Sequence, residues 1–236
     1  MSKKRILLKL TGAIFIDPET KKLTRTYADH VAQQIKSLRE EYYFGIVIGG
    51  GSFFRGGRDN SIGLRENIAH TVGMIATTMN GLMLYDILHQ HKIDVCSVCG
   101  FEFPLGGRTI SQQTIDQALQ NNQTLVFSGG TGNPFVSTDT NAVIRAQQIG
   151  ASEIWKASNI DGAYSADPKK TKNAQRFDTI SIQEALDKKL NFMDHTALTM
   201  AKEASLPLRL FNIFDKDALV QTIKNKKYGT MITPEK

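Results

Sequence analysis

Glycine-rich turns in this chain follow apolar segments and carry small polar or cationic side chains. Residues 129–139 read GGTGNPFVSTD, and an apolar strand pattern at 124–128 runs directly into them. A glycine-rich turn between a strand and a helix presents backbone N–H groups to an anion. The pattern favours a pocket for a phosphorylated or otherwise anionic ligand, although an ordinary strand–helix connection uses the same residue types.

A second glycine-rich turn combines three successive glycines with an arginine. Residues 49–57 read GGGSFFRGG and follow the apolar segment 45–48, and Arg55 supplies a planar guanidinium that binds phosphate through two N–H groups. The first apolar segment, 5–8, likewise leads to Lys9 and then to Thr11 and Gly12. Lys9 is a candidate phosphate ligand, although a lysine at a strand end commonly reaches solvent instead.

Strand and helix patterns alternate along almost the whole chain. Strand patterns cover 5–8, 45–48, 94–98, 124–128, 153–156, 208–211 and 230–233, and helical patterns cover 27–41, 66–89, 112–120, 141–148, 182–188 and 218–223. Residues 192–196 open one further helix, with Asp194 placed as its N-cap. This alternation predicts an α/β fold, a three-layer αβα sandwich with a mainly parallel sheet, formed by one domain over residues 1–236. Ligands bind such sheets beyond the carboxyl ends of the strands, so we expect the turns to meet at one edge.

Composition excludes several classes of function. The 236 residues carry a net charge of +6 without aromatic residues interleaved among the basic ones, which argues against a nucleic-acid partner. No apolar run is long enough for a bilayer, and the first residues lack the apolar stretch of an export signal, so we expect a cytoplasmic protein. Cys96 and Cys99 lack further soft ligands and fall in a strand pattern, which predicts two buried structural thiols.

Common catalytic motifs are absent from the sequence. There is no P-loop, no complete dinucleotide-binding GxGxxG after the first strand and no GxSxG nucleophile elbow. Turns lined by glycines and cations, without an obvious nucleophile, suit phosphoryl transfer, which depends mainly on positioning and charge neutralisation.

Four segments together identify a family resemblance. Residues 4–12 (KRILLKLTG), 49–56 (GGGSFFRG), 130–139 (GTGNPFVSTD) and 161–168 (DGAYSADP) resemble bacterial uridylate kinases (UMP kinases), which have the amino acid kinase fold. The resemblance extends over about residues 4–232. It implies Mg²⁺-dependent transfer of the ATP γ-phosphate to UMP, giving UDP and ADP, in pyrimidine nucleotide biosynthesis. It also implies UTP inhibition and a homohexamer.

The resemblance assigns a role to each candidate residue. Lys9, Arg55 and Asp194 would be catalytic, and Asp139 with Asp194 would orient Lys9 or support the metal, although no metal ligand is firmly assigned. The implied ATP contacts are Lys9, Leu10, Thr11, Gly12, Gly51, Arg55, Ser158, Tyr164 and Asp167. The implied UMP contacts are Gly50, His70, Thr131, Gly132, Asn133, Pro134, Phe135, Val136, Ser137 and Thr138.

Three positions depart from the family pattern. His70 replaces the acidic residue that usually binds the UMP ribose, and Ser158 replaces a threonine. Residues 13–25 read as an irregular loop without the glycine-rich, acidic character associated with GTP activation, so we expect that activation to be weak or absent. Two alternative functions stay open: a carboxylate or carbamate kinase of the same fold, and a nucleotide-binding regulator without catalysis.

Overall fold

The structure, a computed structural model, describes residues 3–54, 62–168 and 170–235. Over these ranges the strands are β1 (Lys4–Leu10), β2 (Tyr42–Ile48), β3 (Val95–Cys99), β4 (Arg108–Thr109), β5 (Thr124–Ser128), β6 (Glu153–Ser158), β7 (Thr179–Ser181), β8 (Leu208–Asn212) and β9 (Thr230–Thr233). The helices are α1 (Thr26–Leu38), α2 (Glu66–Gln90), α3 (Gln112–Gln120), α4 (Thr138–Gln148), α5 (Ile182–Asp187), α6 (His195–Glu203) and α7 (Ala218–Lys224), with a 3-10 helix at Gly12–Phe15.

The nine described strands form one sheet in the order β4-β3-β5-β2-β1-β6-β8-β9-β7. All neighbouring pairs are parallel except β8 and β9, which are antiparallel. The carboxyl ends of β5, β2, β1 and β6 therefore lie side by side at one edge of the sheet. The prediction that the turns following these strands meet at one edge is confirmed.

Helices cover both faces of the sheet, which gives the three layers that the alternating pattern predicted. Along β1, Ile6 and Leu8 pack with α1, α2 and α7, whereas Leu7 packs with α3 and α4 on the other face. All three side chains are fully buried. Successive side chains of a strand point to opposite faces, so an uninterrupted apolar strand is what a sheet covered on both sides requires.

Helix α1 shows the apolar stripe that its spacing predicts, because Val31 and Ile35 are buried against the sheet. Its end at Leu38 precedes the predicted end by three residues. Helix α4 begins three residues earlier than predicted, since the Ser137 hydroxyl accepts a hydrogen bond from the Thr140 N–H and caps the helix.

Two features of the fold differ from the sequence-based expectations. The segment 13–25, predicted to be irregular, contains most of the 3-10 helix and an antiparallel bridge between Ile16 and Leu23. The two-residue and three-residue strands β4 and β7 were not predicted, because strands this short carry no apolar periodicity.

The two cysteines are buried free thiols, as predicted. They lie three residues apart along β3, so their side chains point to opposite faces of the sheet. Among the helices of the described ranges, none has the length and apolar character needed to cross a bilayer.

Candidate active site

Two lysines and an aspartate form the charged centre of the edge where the turns meet. Lys9 on β1 and Lys156 on β6 are register partners in adjacent parallel strands, so their side chains leave the sheet on the same face. Asp139, in the first turn of α4, lies between them. Its Oδ1 is 3.1 Å from Lys9 Nζ and its Oδ2 is 2.5 Å from Lys156 Nζ.

The three groups control one another's charge. Burial alone would raise the pKa of the Asp139 carboxyl, but the Lys9 and Lys156 charges outweigh it and hold that pKa well below its usual range. Burial, together with repulsion from Lys9, lowers the pKa of Lys156 to about 8, against the attraction of Asp139. An ionised Asp139 with two ammonium groups leaves a net positive charge for an anionic ligand.

Asp194 holds two helix N-termini together. Its carboxylate accepts a hydrogen bond from the Ala197 N–H, 2.9 Å away, and so caps α6 as the sequence predicts. It also accepts hydrogen bonds from the Thr140 hydroxyl, at 3.2 Å, and from the Ser137 hydroxyl at the start of α4. The contact with Lys9 belongs to Asp139, and Asp194 fixes the helix that carries Asp139.

Close backbone packing brings the first two turns together. The Gly49 N–H donates to the Leu10 carbonyl at 2.9 Å. A Cβ on Gly12 would lie 2.5 Å from the Gly49 carbonyl oxygen and 2.3 Å from Asn80 Nδ2, so only glycine fits there. Leu10, a predicted ATP contact, is fully buried, and its carbonyl is the acceptor of the Gly49 N–H.

The third turn, 129–137, has its own internal hydrogen bonds. The Thr131 hydroxyl accepts from the Asn133 N–H at 3.2 Å. Gly132 has a φ of +80°, and a Cβ there would lie 2.3 Å from the Gly100 carbonyl oxygen. Phe135, a residue that is 61% exposed, places the centroid of its ring 4.7 Å from that of the His70 ring on α2. The structure therefore brings His70 to the turn to which the family resemblance assigns UMP.

The remaining predicted ATP residues follow β6. Ser158 ends the strand, and the Tyr164 hydroxyl donates to Asp161 Oδ1 at 2.8 Å, a hydrogen bond that raises the pKa of the phenol. Asp167 is exposed, and its carbonyl accepts from the backbone N–H groups of Lys170 and Thr171. Arg55, predicted to contact ATP, lies outside the described residues.

Comparison with known proteins places the chain in a family. The model of the amino acid kinase family matches residues 4–212. The chain belongs to the amino acid kinase family. It is 39% identical over 232 residues to the uridylate kinase of Mycoplasma genitalium, covering 98% of this chain and 96% of that one. It is 38% identical over 233 residues to the uridylate kinase of Salmonella typhimurium, with the same coverage.

Comparison of this amino acid kinase with solved structures leads to the same group of proteins. The UMP kinase from Ureaplasma parvum superposes with a TM-score of 0.92 at 32% identity, covering 99% of this chain and 100% of that one. The UMP kinase from Bacillus anthracis also gives 0.92, at 28% identity, covering 100% of this chain and 98% of that one. The resemblance drawn from the four segments is confirmed.

Three polar residues at or beside the site of this amino acid kinase were not predicted from the sequence. Lys156 lies inside a strand pattern, which gives no sign of a role at the site, although Lys9 and Lys156 both stand near a strand end. Thr77 and Asn80 were overlooked inside a helix rich in small and apolar residues, yet both are buried and contact the glycine turns. Buried polar residues in an otherwise apolar helix were the available signal.

Proposed function

We propose that this protein is a uridylate kinase that transfers the γ-phosphate of ATP to UMP, giving UDP and ADP. The observation that carries the proposal is the Lys9–Asp139–Lys156 cluster, which lies where the four turns meet. A cluster of net positive charge beside backbone N–H groups suits a transition state that spreads negative charge over phosphoryl oxygens. The names of the relatives supply the substrate.

The reaction needs positioning rather than a strong base. A phosphate oxygen of UMP attacks the γ-phosphorus of ATP, the bond between that phosphorus and the bridging oxygen breaks, and ADP leaves with the electron pair. The UMP phosphate is already ionised near pH 7, so no proton has to be removed first. Lys9 would stabilise the charge on the transferred group, Asp139 would hold Lys9 in place, and Arg55 is assigned to ATP by the resemblance alone.

Mg²⁺ fits this site as an ion carried by the nucleotide. Among the described residues, no group of three or more His, Cys, Asp or Glu side chains is arranged to hold a metal. Magnesium commonly binds phosphates with only one or two carboxylates, and Asp194, whose side-chain partners are hydroxyls, is the carboxylate that could contribute. When bound, the ion would neutralise charge on the β- and γ-phosphates.

The segment 131–138 would hold UMP, and His70 would face its ribose. The His70 ring contacts Phe135, so a ligand in this turn would lie beside an imidazole instead of the usual carboxylate. An imidazole can donate or accept a hydrogen bond to a hydroxyl, which supports retained ribose recognition. Gly50 would approach UMP. The residues that would surround ATP are Thr11, Gly12, Gly51, Ser158, Tyr164 and Asp167.

Assembly and regulation extend the proposal. One face of α2 carries exposed apolar residues, called here the α2 stripe: Ile75, Met79, Leu82 and Tyr85. An exposed patch of this kind supports burial between subunits, as in a homohexamer. We further propose a cytoplasmic role in pyrimidine nucleotide synthesis, inhibition by UTP, and weak or absent activation by GTP.

The test is ADP release from ATP and Mg²⁺ with UMP, CMP, dUMP or AMP in parallel. We expect strong selectivity for UMP, and equal use of dUMP would show that the ribose contact is lost. Lys9→Met should abolish turnover and retain UMP binding in calorimetry, whereas Lys36→Met, at an exposed position on α1, should behave as wild type. Wild-type activity in Lys9→Met would overturn the proposed role. No activity with any nucleotide would favour the carboxylate kinase or the regulator.

A further inference from the structure

Helix α2 carries buried polar residues that the reaction described above does not use. Thr77, Thr78 and Asn80 are 6%, 2% and 0% exposed, on a helix whose other buried residues are mostly small or aliphatic. Burying an amide or hydroxyl is unfavourable unless it finds hydrogen-bond partners. The partners of these three residues therefore indicate what each one does.

Thr77 joins α2 to the turn assigned to UMP. Its hydroxyl donates to the Met74 carbonyl at 2.7 Å and accepts from the Gly129 N–H at 2.8 Å. Gly129 has a φ of +69° and begins the turn, and the Gly132 N–H donates back to the Gly129 carbonyl at 3.3 Å. The Thr77 hydroxyl thus anchors the first residue of that turn to a rigid helix.

Asn80 joins the same helix to the turn that follows Lys9 and to the glycine triplet, which carries the assigned ATP contact Gly51 beside the assigned UMP contact Gly50. Its Nδ2 donates to the Gly49 carbonyl at 2.6 Å and to the Ser52 hydroxyl at 2.9 Å. The same Nδ2 occupies the space that a Cβ on Gly12 would need. One amide group therefore fixes the glycine triplet against the turn that follows Lys9.

We propose that Thr77 and Asn80 are positioning residues for phosphoryl transfer, Thr77 for the acceptor turn that begins at Gly129 and Asn80 for the glycine triplet and the turn that follows Lys9. The inference rests on the proposed function, because it assigns each turn to a substrate. Both residues act through the backbone of the turns. Since reacting groups must be aligned within fractions of an ångström, a loosened turn lowers the rate or affinity without removing any ligand contact.

Thr78 provides a matched control for Thr77. Its hydroxyl donates to the same Met74 carbonyl, at 3.3 Å, within the helix. Thr77→Val and Thr78→Val remove the same group from adjacent buried positions. We expect Thr77→Val to raise the KM for UMP about tenfold, as loss of a buried hydrogen bond does, with the KM for ATP within about twofold. Thr78→Val should keep both constants, and Thr77→Ser should restore the KM for UMP.

Asn80→Leu should change kcat more than the KM for UMP, the reverse of Thr77→Val. We expect kcat to be at least about tenfold lower, with a smaller change in the KM for UMP. Asn80→Ala, which removes the Nδ2 donor without adding bulk, serves if the leucine variant does not fold. Equal UMP KM values in Thr77→Val and Thr78→Val would overturn the inference for Thr77, and an unchanged kcat in the Asn80 variants would overturn it for Asn80.

Hydrogen exchange separates this inference from the proposed function. The Gly129 amide should exchange faster in Thr77→Val than in Thr78→Val, and this measurement needs no turnover. Wild-type protein that releases no ADP with UMP would refute the proposed function. Equal Gly129 exchange in the two valine variants would refute the positioning role of Thr77 whatever the wild type does.

Discussion

Lys156 carries a charge at a position where burial opposes it. A lysine removed from water favours its neutral form, and the neighbouring Lys9 adds repulsion, so the pKa of Lys156 falls to about 8. Asp139 supplies the opposing attraction. Lys156 is therefore mostly protonated at pH 7 and loses its charge under mildly alkaline conditions.

The kcat/KM for ATP should fall as pH rises through about 8. Lys156 is protonated below that pH and contributes its positive charge to the site, whereas above it the charge is lost. Lys156→Arg should remove the fall, because a guanidinium stays protonated throughout this range. The measurement is the pH profile from 6 to 9.5, with Lys36→Arg as the control that keeps the wild-type profile. A flat wild-type profile would contradict the assignment.

Residues within local patterns were predicted, and residues defined by packing were not. Lys9 and the glycines stand beside strand patterns in the sequence, so the neighbouring residues are enough to predict their place at the site. The position of Lys156 beside Lys9 depends on the register of two strands, and the contacts of Asn80 depend on a helix that crosses two turns. Neither relation is encoded in the spacing of neighbouring residues.

At the scale of elements, helix ends position the charged centre. The N-terminus of α4 carries Asp139, and the hydroxyls of Ser137 and Thr140 connect it to Asp194 at the start of α6. The cap at Asp194 was predicted, because an aspartate before a helical pattern is a recognised signal. The start of α4 was placed too late, since the preceding turn is rich in residues that usually mark loops.

A cluster of three polar side chains links α1 to the end of α2. Arg25 Nε is 2.7 Å from Asp29 Oδ2, and His91 Nε2 is 2.8 Å from Asp29 Oδ1. The hydrogen bond from Arg25 is the main reason that the pKa of Asp29 is lowered to about 2. A lowered carboxyl pKa stabilises the folded protein above the unfolded-state value near 4 and loses that effect as pH falls towards 2.

Asp29→Asn should therefore lower the free energy of unfolding by about 1–2 kcal/mol at pH 7, and the difference from wild type should shrink between pH 4 and pH 2. Urea unfolding of both proteins at pH 7, 4 and 3 measures this difference in the free energy of unfolding. Asp187→Asn, at the exposed end of α5, should change the free energy by less than about 0.5 kcal/mol. A difference that stays constant down to pH 3 would show that Asp29 does not act through its charge.

For the whole molecule, alternating patterns predicted the layers and not the order of the strands. The sheet runs β4-β3-β5-β2-β1-β6-β8-β9-β7. Strand β1 therefore lies between β2 and β6, which are far from each other in the sequence. Periodicity reports which face of a strand is buried, and it contains no information on which strands pair. The convergence of the turns was predictable only because every central strand is parallel.

Helix α2 connects the interior of the site to the outer surface. Its buried face holds the glycine turns through Thr77 and Asn80, and its outer face exposes the α2 stripe. Ile75, Met79 and Leu82 are 45%, 46% and 36% exposed and follow the helical spacing of one face. A subunit that covers this stripe would contact the helix that we propose positions both substrates.

Met79→Lys should dissociate the proposed oligomer. A lysine at the centre of a covered apolar face would leave an unpaired charge in the interface, at a cost of several kcal/mol. Sedimentation velocity should show a smaller species than wild type, whereas Leu105→Lys, at an 84% exposed position outside the stripe, should sediment as wild type. Because α2 also carries Thr77 and Asn80, the dissociated variant should lose activity along with assembly. An unchanged sedimentation coefficient in Met79→Lys would show that the stripe does not form the interface.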